Sequence, residues 1–509
     1  MKQYTKADII DIYERLVSLS QREAYRQPHI SLRNIEIAAR WAYSFNWIFT
    51  DIRLEAVLKD IASRHIAPCG IKNCHSNRIA LIDSFTSDNH GLTQQYIRAM
   101  MCCGYHILYI STQQDPSVKG DDIYTELKAY DKVDVVSYSG KKIPQIDMAR
   151  QIAAKLADFS PSSLFLHLSP WDFAALMACH SVKGTTIFNI NLTDHAFWLG
   201  ASFIDYNIEF RPFGRTVSHE KRNLRISQLL TLPFYPITPV SSHFQGFPAV
   251  LPSNAVKVFT GGSLYKMLGD GDVFFKIMER VLSTSPRVYI LVAGFNPNDE
   301  TFARKCALIK NGNRIIPIGR RTDIDNVFSQ IDIYLGTYPS AGGLMSQYAA
   351  RHGKPIIAYR DASNPSKVED FVCHYQNHYH SFTDLESLTG YCRRLVEDES
   401  FRREEGKILQ EGMMTPERFT ENFRSLVETM LPQWEWNDVV IDYEKWFQRY
   451  LELENNNGHV ATQMLARKKP LSIITTFYDY KTELAHELWA YSRITPPIAS
   501  CYSACQHLS

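Results

Sequence analysis

Two successive series of short apolar runs, each alternating with amphipathic segments and separated by a proline-rich break, constrain this chain more than any other feature. In the first series Ile79–Ile82, His106–Ile110, Val133–Val136, Leu164–Leu168 and Thr186–Ile190 have the length and composition of buried strands, and Asp205–Arg211 extends the set. Residues 94–101, 145–158 and 171–180 between them have helical spacing. Strands that alternate with helices require right-handed crossovers and therefore a parallel sheet. From Pro236 to Asn254 the pattern fails, with prolines at 236, 239, 248 and 252. A second series then begins, with strands expected at Val256–Phe259, Val288–Val292, Arg314–Ile318, Ile331–Leu335 and Pro355–Ala358, and helices near 271–283, 299–310, 323–330 and 343–352. The expected fold is α/β: two Rossmann-like domains, 77–238 and 256–431, joined by a linker over 239–255 and facing across a cleft. Ligands of such sheets bind outside the carboxyl ends of the strands.

The flanks read as helices. Ile9, Ile10, Ile12, Tyr13 and Leu16 recur at helical spacing and a second run extends from Ile35 to Ile61, so residues 1–76 are expected to form an appended helical extension. Residues 384–431 are helical, Trp434–Leu453 forms an aromatic-rich amphipathic helix, and 432–509 is a C-terminal helical extension and tail. With 55 basic against 54 acidic side chains, no charge excess exists to hold a polyanion, and nucleic acid is excluded as an expected partner. The first residues lack the uninterrupted apolar core of a secretory signal, and no stretch reaches the roughly 18 apolar residues of a membrane span. The ten cysteines are scattered and form no small-domain disulfide framework. A cytoplasmic protein with reduced thiols is expected, with peripheral membrane contact open to it.

The segment Asp332–Ile357 carries the most chemical information. An apolar strand ends in Pro339-Ser340-Ala341-Gly342-Gly343, a helix opens with Leu344, and Gly353-Lys354-Pro355 closes it. Glycines let backbone amides approach an anion, and the unpaired N–H groups of a helix start favour phosphate. By itself a glycine pair equally suits a strand-to-helix turn that binds nothing. A second element, Lys257–Phe259 followed by Thr260, Gly261, Gly262, Ser263, Leu264, Tyr265 and Lys266, places a lysine in the loop after the first strand of the same domain. Loops at the carboxyl ends of a doubly wound sheet share one side, so Lys266 is positioned to neutralise phosphates held at Gly342 and Gly343.

In order and spacing, Gly261–Lys266, the strand at Ile315–Ile318, the Arg320-Arg321-Thr322 loop and Asp332–Pro355 resemble the carboxy-terminal domain of GT-B glycosyltransferases. They are similar in particular to the O-linked N-acetylglucosamine transferase family and its bacterial relatives. The resemblance covers residues 256–360. It implies a transferase that moves a sugar from a nucleotide diphosphate, UDP in the first instance, with no cofactor besides the nucleotide-sugar donor as substrate. Lys266 and the amides of Gly342, Gly343 and Leu344 would hold the pyrophosphate beside Gly261 and Gly262, and Arg320, Arg321 and Thr322 would lie beside the nucleobase. The family's His-Thr-Thr is replaced here by Gly343, Leu344 and Met345, which leaves the phosphates to backbone amides. The paired glutamates of the retaining GT-B group would fall at Ser340 and Tyr348, where both carboxylates are absent. Tyr348 would stand at the ribose, where a phenol only partly substitutes for an acid.

The amino-terminal domain of such enzymes supplies the acceptor pocket and any general base. Asn189–Gly200, after a strand, contains Asp194 and His195 followed by Phe197 and Trp198. An imidazole titrates near neutral pH and a neighbouring carboxylate orients it, so His195 with Asp194 is the first candidate for deprotonating an acceptor hydroxyl. The alternative is a capping aspartate, a packed histidine and two core aromatics. Asp88 and His90, in the loop after the first strand, form a second candidate base site that equally suits turn chemistry. Arg211 and Arg215 are further candidates for a phosphate contact. Cys69, Cys74 and His75, and Cys373, His374, His378 and His380, lack paired zinc-ligand spacing, so no metal is expected. The acceptor class stays open between a glycan, a lipid-linked glycan and a protein. A nucleotide-sugar epimerase of the same fold, and a non-catalytic sugar-nucleotide-binding protein, remain as alternatives.

Overall fold

The computed structural model describes residues 4–456 apart from 72–74, 87–91, 116, 118–120, 238–242, 269, 340, 362–365, 376–377 and 379–380. The chain divides into two compact units, Met1–Leu232 with the chain from Thr420 onward, and Pro233–Phe419. Among the described residues no helix is long and apolar enough to cross a membrane.

The first unit is built on seven parallel strands: His75–Asp83, His106–Ser111, Val133–Ser137, Pro161–His167, Thr186–Ile190, Tyr206–Glu209 and Leu229–Thr231. Numbered in that order they lie 3-2-1-4-5-6-7, the doubly wound arrangement whose order reverses between strands one and four. Its central strands are near-continuous apolar runs because helices cover both faces. Ile79, Ala80, Leu81 and Ile82 are all fully buried. A two-strand pair, Cys69–Gly70 with Val182–Lys183, lies beside this sheet in sequence but outside it.

The three N-terminal helices, Lys6–Glu23, Pro28–Phe45 and Ile52–His65, share one buried apolar cluster with this sheet, in which Ile9, Leu16, Trp41, Phe45 and Leu58 join Ala80, Ile82, Leu164 and Leu166. They belong to the core of the unit rather than standing apart from it. Local signals fix their ends. Thr5 and Asp8 form a reciprocal capping box, Asn46 ends the second helix in the left-handed conformation, and Asp51 caps the third. The single run expected from Ile35 to Ile61 is thus two helices. The last described helix, Tyr443–Asn456, packs on the second and reaches the residues that precede the first: Tyr4 N donates to Asn455 Oδ1 at 3.0 Å. Its start lies later than the expected Trp434, since residues 434–442 are coil fixed by contacts such as Trp434 N to Thr231 Oγ1 at 2.7 Å.

The second unit holds six parallel strands: Val256–Gly261, Val288–Ala293, Ile315–Gly319, Ile333–Leu335, Ile356–Tyr359 and Ser381–Phe382. Numbered likewise they lie 3-2-1-4-5-6. Two apolar layers sandwich the sheet, one around Val258, Phe274, Ile290 and Leu395, the other around Phe259, Phe328, Tyr334 and Ile356. Alternate residues of one strand feed opposite layers, as the period of a strand requires.

Candidate functional site

At the carboxyl edge of the second sheet three neighbouring strands run into glycine. Gly262 N bonds Ala293 O at 3.1 Å and Gly294 N bonds Gly319 O at 3.0 Å. Gly294 adopts a φ of +114°, and a Cβ there would stand 2.2 Å from Gly262 O, so this close approach of two backbones requires glycine. Lys266 ends the short turn Leu264–Lys266. Its Cδ lies 3.4 Å, and Thr337 Cγ2 3.7 Å, from where a Cβ on Gly262 would be. Met345 Cε comes within 3.7 Å of the same position on Gly261. The structure therefore brings together Gly261, Gly262, Lys266, Thr337 and the start of the helix Gly343–Arg351.

That helix opens at Gly342 with no side-chain cap. Tyr334 OH lies 3.7 Å from the Cβ position of Gly342; it is fully buried, and burial pushes its pKa up against the opposing effect of the Ser346 hydroxyl. Ser346 donates its own proton to Gly342 O at 3.0 Å. Thr260, on the strand leading into the glycine turn, is likewise buried with its Oγ1 unpartnered. Sequence reasoning missed Thr260 and Tyr334 because hydroxyls inside apolar strands carry no local signature, and Thr337 because it lies in the short coil after the strand Ile333–Leu335.

Other residues singled out from the sequence are engaged elsewhere in the same unit. Arg321 makes two bonds to Asp323, at 2.7 and 2.6 Å, and one to Gly246 O at 2.8 Å. Thr322 Oγ1 accepts from Gln245 Nε2 at 2.8 Å. Tyr348 is buried, stacks on Phe328 and donates to Ile237 O at 2.9 Å. These three tie Ile237, Gln245 and Gly246 to the domain. Arg320 is exposed, and Leu344 packs against the layer around Phe328. Gly343 is explained by packing, since a Cβ there would stand 2.7 Å from the Phe371 ring. Ser340, Asp88 and His90 lie outside the described residues.

In the first unit the loop after Thr186–Ile190 carries Asp194 and His195. His195 Nδ1 stands 3.4 Å from Asp194 Oδ1, with the imidazole 21% exposed and the carboxylate 1% exposed. Arg211 grips that carboxylate through Nε and Nη2. Burial alone would raise the Asp194 pKa, but the Arg211 charge and hydrogen bonds outweigh it and bring it down to about 2. Arg211 is thus an internal counter-ion, and Arg215 pairs with Asp438. Tyr43 meets the His195 ring edge-on at 6.2 Å and Trp171 at 5.7 Å. Phe197 and Trp198 are core: Phe197 packs on Tyr13, and Arg222 lies over the Trp198 ring.

The N-terminal helices fix this loop. Asn46 Nδ2 donates to His195 O at 2.7 Å. The buried Glu55 carboxylate accepts from the amides of Gly200, Ala201 and Ser202 at 2.9, 3.1 and 2.8 Å. Arg222, 2% exposed, donates to the carbonyls of Thr193, Asp194 and Ala196.

A second buried pair, unforeseen from the sequence, sits where the strand order reverses. Asp83 and His167 are register partners at the ends of strands one and four, with Oδ1 to Nδ1 at 3.2 Å. Tyr109 OH donates to Asp83 Oδ2 at 2.7 Å and Thr93 Oγ1 contacts His167 Nδ1 at 3.0 Å. Burial opposes ionisation of Asp83, but the hydrogen bond and charge of His167 keep its pKa below the usual value.

No protein-family model matches the chain, and no curated protein matches its sequence. Among solved structures it is similar to an O-GlcNAc transferase mutant from Thermobaculum terrenum, at TM-score 0.52 and 14% identity over 87% of this chain and 85% of that one. The fold is GT-B. A glycosyltransferase from Rickettsia africae follows at TM-score 0.49 and 14% identity, over 71% of this chain and 100% of the other. A UDP-N-acetylglucosamine 2-epimerase from Listeria monocytogenes, described as putative, gives 0.44 and 11%, over 72% and 100%. The GT-B assignment agrees with the sequence expectation of two Rossmann-like sheets, and it places the chain among glycosyltransferase-like folds.

Proposed function

We propose that the chain is a glycosyltransferase that takes a sugar from a nucleotide diphosphate, held at the carboxyl edge of the second unit, and passes it to an acceptor hydroxyl. One observation carries the reading. Lys266 and the uncapped start of the Gly343–Arg351 helix adjoin a glycine-lined edge, where the buried Thr260 hydroxyl is left unpartnered. An unsatisfied buried hydroxyl costs about 1–3 kcal/mol, and helix-start amides with a nearby ammonium are the usual means of holding a diphosphate. The Lys266 charge and the helix amides would stabilise the leaving diphosphate as the glycosidic bond breaks. His195, oriented by Asp194 through Nδ1, presents Nε2 as the base for an inverting reaction.

The test is one preparation of His195→Ala compared with wild type for melting temperature, UDP and GDP affinity by calorimetry, and sugar transfer from a panel of nucleotide sugars. Turnover should fall on the order of 10²–10⁴-fold with nucleotide affinity unchanged. Full activity in a stable variant would remove His195 from the reaction, and failure of every nucleoside diphosphate to bind wild type would remove the donor site.

A further inference from the structure

Glu209 and Asp194 share a glycine. A Cβ on Gly214, in the first turn of the helix Pro212–Lys221, would stand 2.4 Å from Glu209 Oε2, 2.8 Å from Asp194 Cβ and 3.0 Å from Asp194 Oδ2. Glycine disfavours a helix by about 1 kcal/mol, and here it leaves the space in which a strand-end carboxylate and a loop carboxylate approach one point. Every group around Glu209 is fixed. Asn191 Nδ2 donates to both its oxygens at 3.0 and 2.9 Å, and Asn207 Nδ2 to Oε1. Ser218 Oγ meets Asn191, Asn207 and Arg222 Nη1. Thr231 is its register partner on the edge strand.

The charged and titratable groups facing this cluster are Asp194, His195, Arg211 and Arg222, with Tyr443 and Tyr450 from the last helix. Arg222 donates to Ser218 Oγ and to three backbone carbonyls, all neutral, so among the described residues no cation is bonded to Glu209 in the way Arg211 is bonded to Asp194. We propose that Glu209 is a positioning residue for His195, which sets, through the Asp194 carboxylate it meets at Gly214, how firmly the imidazole holds its proton. This rests on the reading of His195 as the base. Burial raises the Glu209 pKa to about 7, against hydrogen bonds from Ser218 and Asn191 and the charge of Arg222. Its ionisation therefore falls in the range where an imidazole exchanges its proton.

The experiment is an NMR titration of the His195 imidazole, identified by the resonance that disappears in His195→Ala, in wild type and in Glu209→Gln. Wild type should titrate in two coupled steps. Glu209→Gln should titrate in one, displaced to lower pH by roughly 0.5–1.5 units, because a negative charge that favours imidazolium is gone. A single-step wild-type curve overturns the proposal without any variant, so loss of folding in Glu209→Gln leaves it testable. Superimposable curves for the two proteins overturn it as well. No sugar or turnover enters the measurement: a two-step curve in a protein that transfers nothing sinks the transferase and keeps the coupling, and a single-step curve in an active transferase does the reverse.

Discussion

The two candidate regions are made from opposite materials. The edge of the second sheet is backbone and absence: glycines at 261, 262, 294 and 342, an uncapped helix start and a single lysine. The Asp194–His195 region is a dense buried set of charges, with Glu209, Arg211 and Arg222 within one network. A backbone site tolerates loss of most neighbouring side chains but not the addition of a carbon atom where two backbones meet. A charge network tolerates small changes of volume but not the loss of one member, because the partners left behind stay buried.

The largest effect that would break this contrast is expected at Arg222. Arg222→Met should destabilise the protein by about 3–5 kcal/mol, because it leaves Ser218 Oγ and the buried carbonyls of Thr193, Asp194 and Ala196 without their donor, read as a shift of the urea midpoint at constant slope. A loss below about 1 kcal/mol would mean that the network is not cooperative.

Acid-base linkage sharpens the same side. Glu209 is raised from 4.5 to about 7, so the folded state holds a proton that the unfolded chain releases. The stabilisation is complete below pH 4.5 and is lost as pH rises through 7, which amounts to about 3 kcal/mol. Denaturation series across that window should show the decline in wild type and a flatter profile in Glu209→Gln.

On the backbone side, Gly294→Ala should cost about 1–3 kcal/mol, from a positive φ and a Cβ driven into Gly262 O, and should weaken nucleotide binding with it. Gly342→Ala, whose Cβ would meet nothing nearer than 3.7 Å, should leave stability within about 0.5 kcal/mol of wild type. Equal effects of the two substitutions would show that the edge is not shaped by backbone contact.

Lys266→Ala is expected to act on binding alone. It should weaken nucleoside diphosphate affinity about tenfold, the worth of one charge-assisted bond, with melting temperature unchanged. Calorimetry that finds the same affinity in both proteins would remove Lys266 from the site.

The sheets were legible in the sequence because their strands are continuous apolar runs, a local property. Thr186–Ile190 is as expected to the residue, and Val256–Gly261 extends the expected strand by two. Edge strands of two or three residues, such as Leu229–Thr231 and Ser381–Phe382, are too short to produce a pattern. Within the sites, glycine turns were legible and partners were not. Arg321 and Tyr348 looked available because their acceptors, Gly246 O and Ile237 O, lie 75 and 111 positions away. Asp83 and His167 meet only through parallel register, 84 positions apart. The role of the N-terminal helices in fixing the His195 loop was hidden for the same reason: Glu55 reaches Gly200 across 145 positions.

The helix Tyr443–Asn456 has a consequence for synthesis. It packs on the second helix and ties down the start of the first, with Lys6 paired to Glu444 and Tyr4 bonded to Asn455, and it completes the core that Ile9 and Trp41 belong to through Phe447 and Leu451. The ribosome adds about 5–20 residues per second, so the opening helices wait tens of seconds for this cover. All of Pro233–Phe419 emerges in the meantime. The unit begun first is therefore finished second, and its uncovered apolar face is the surface that a chaperone would meet on the nascent chain.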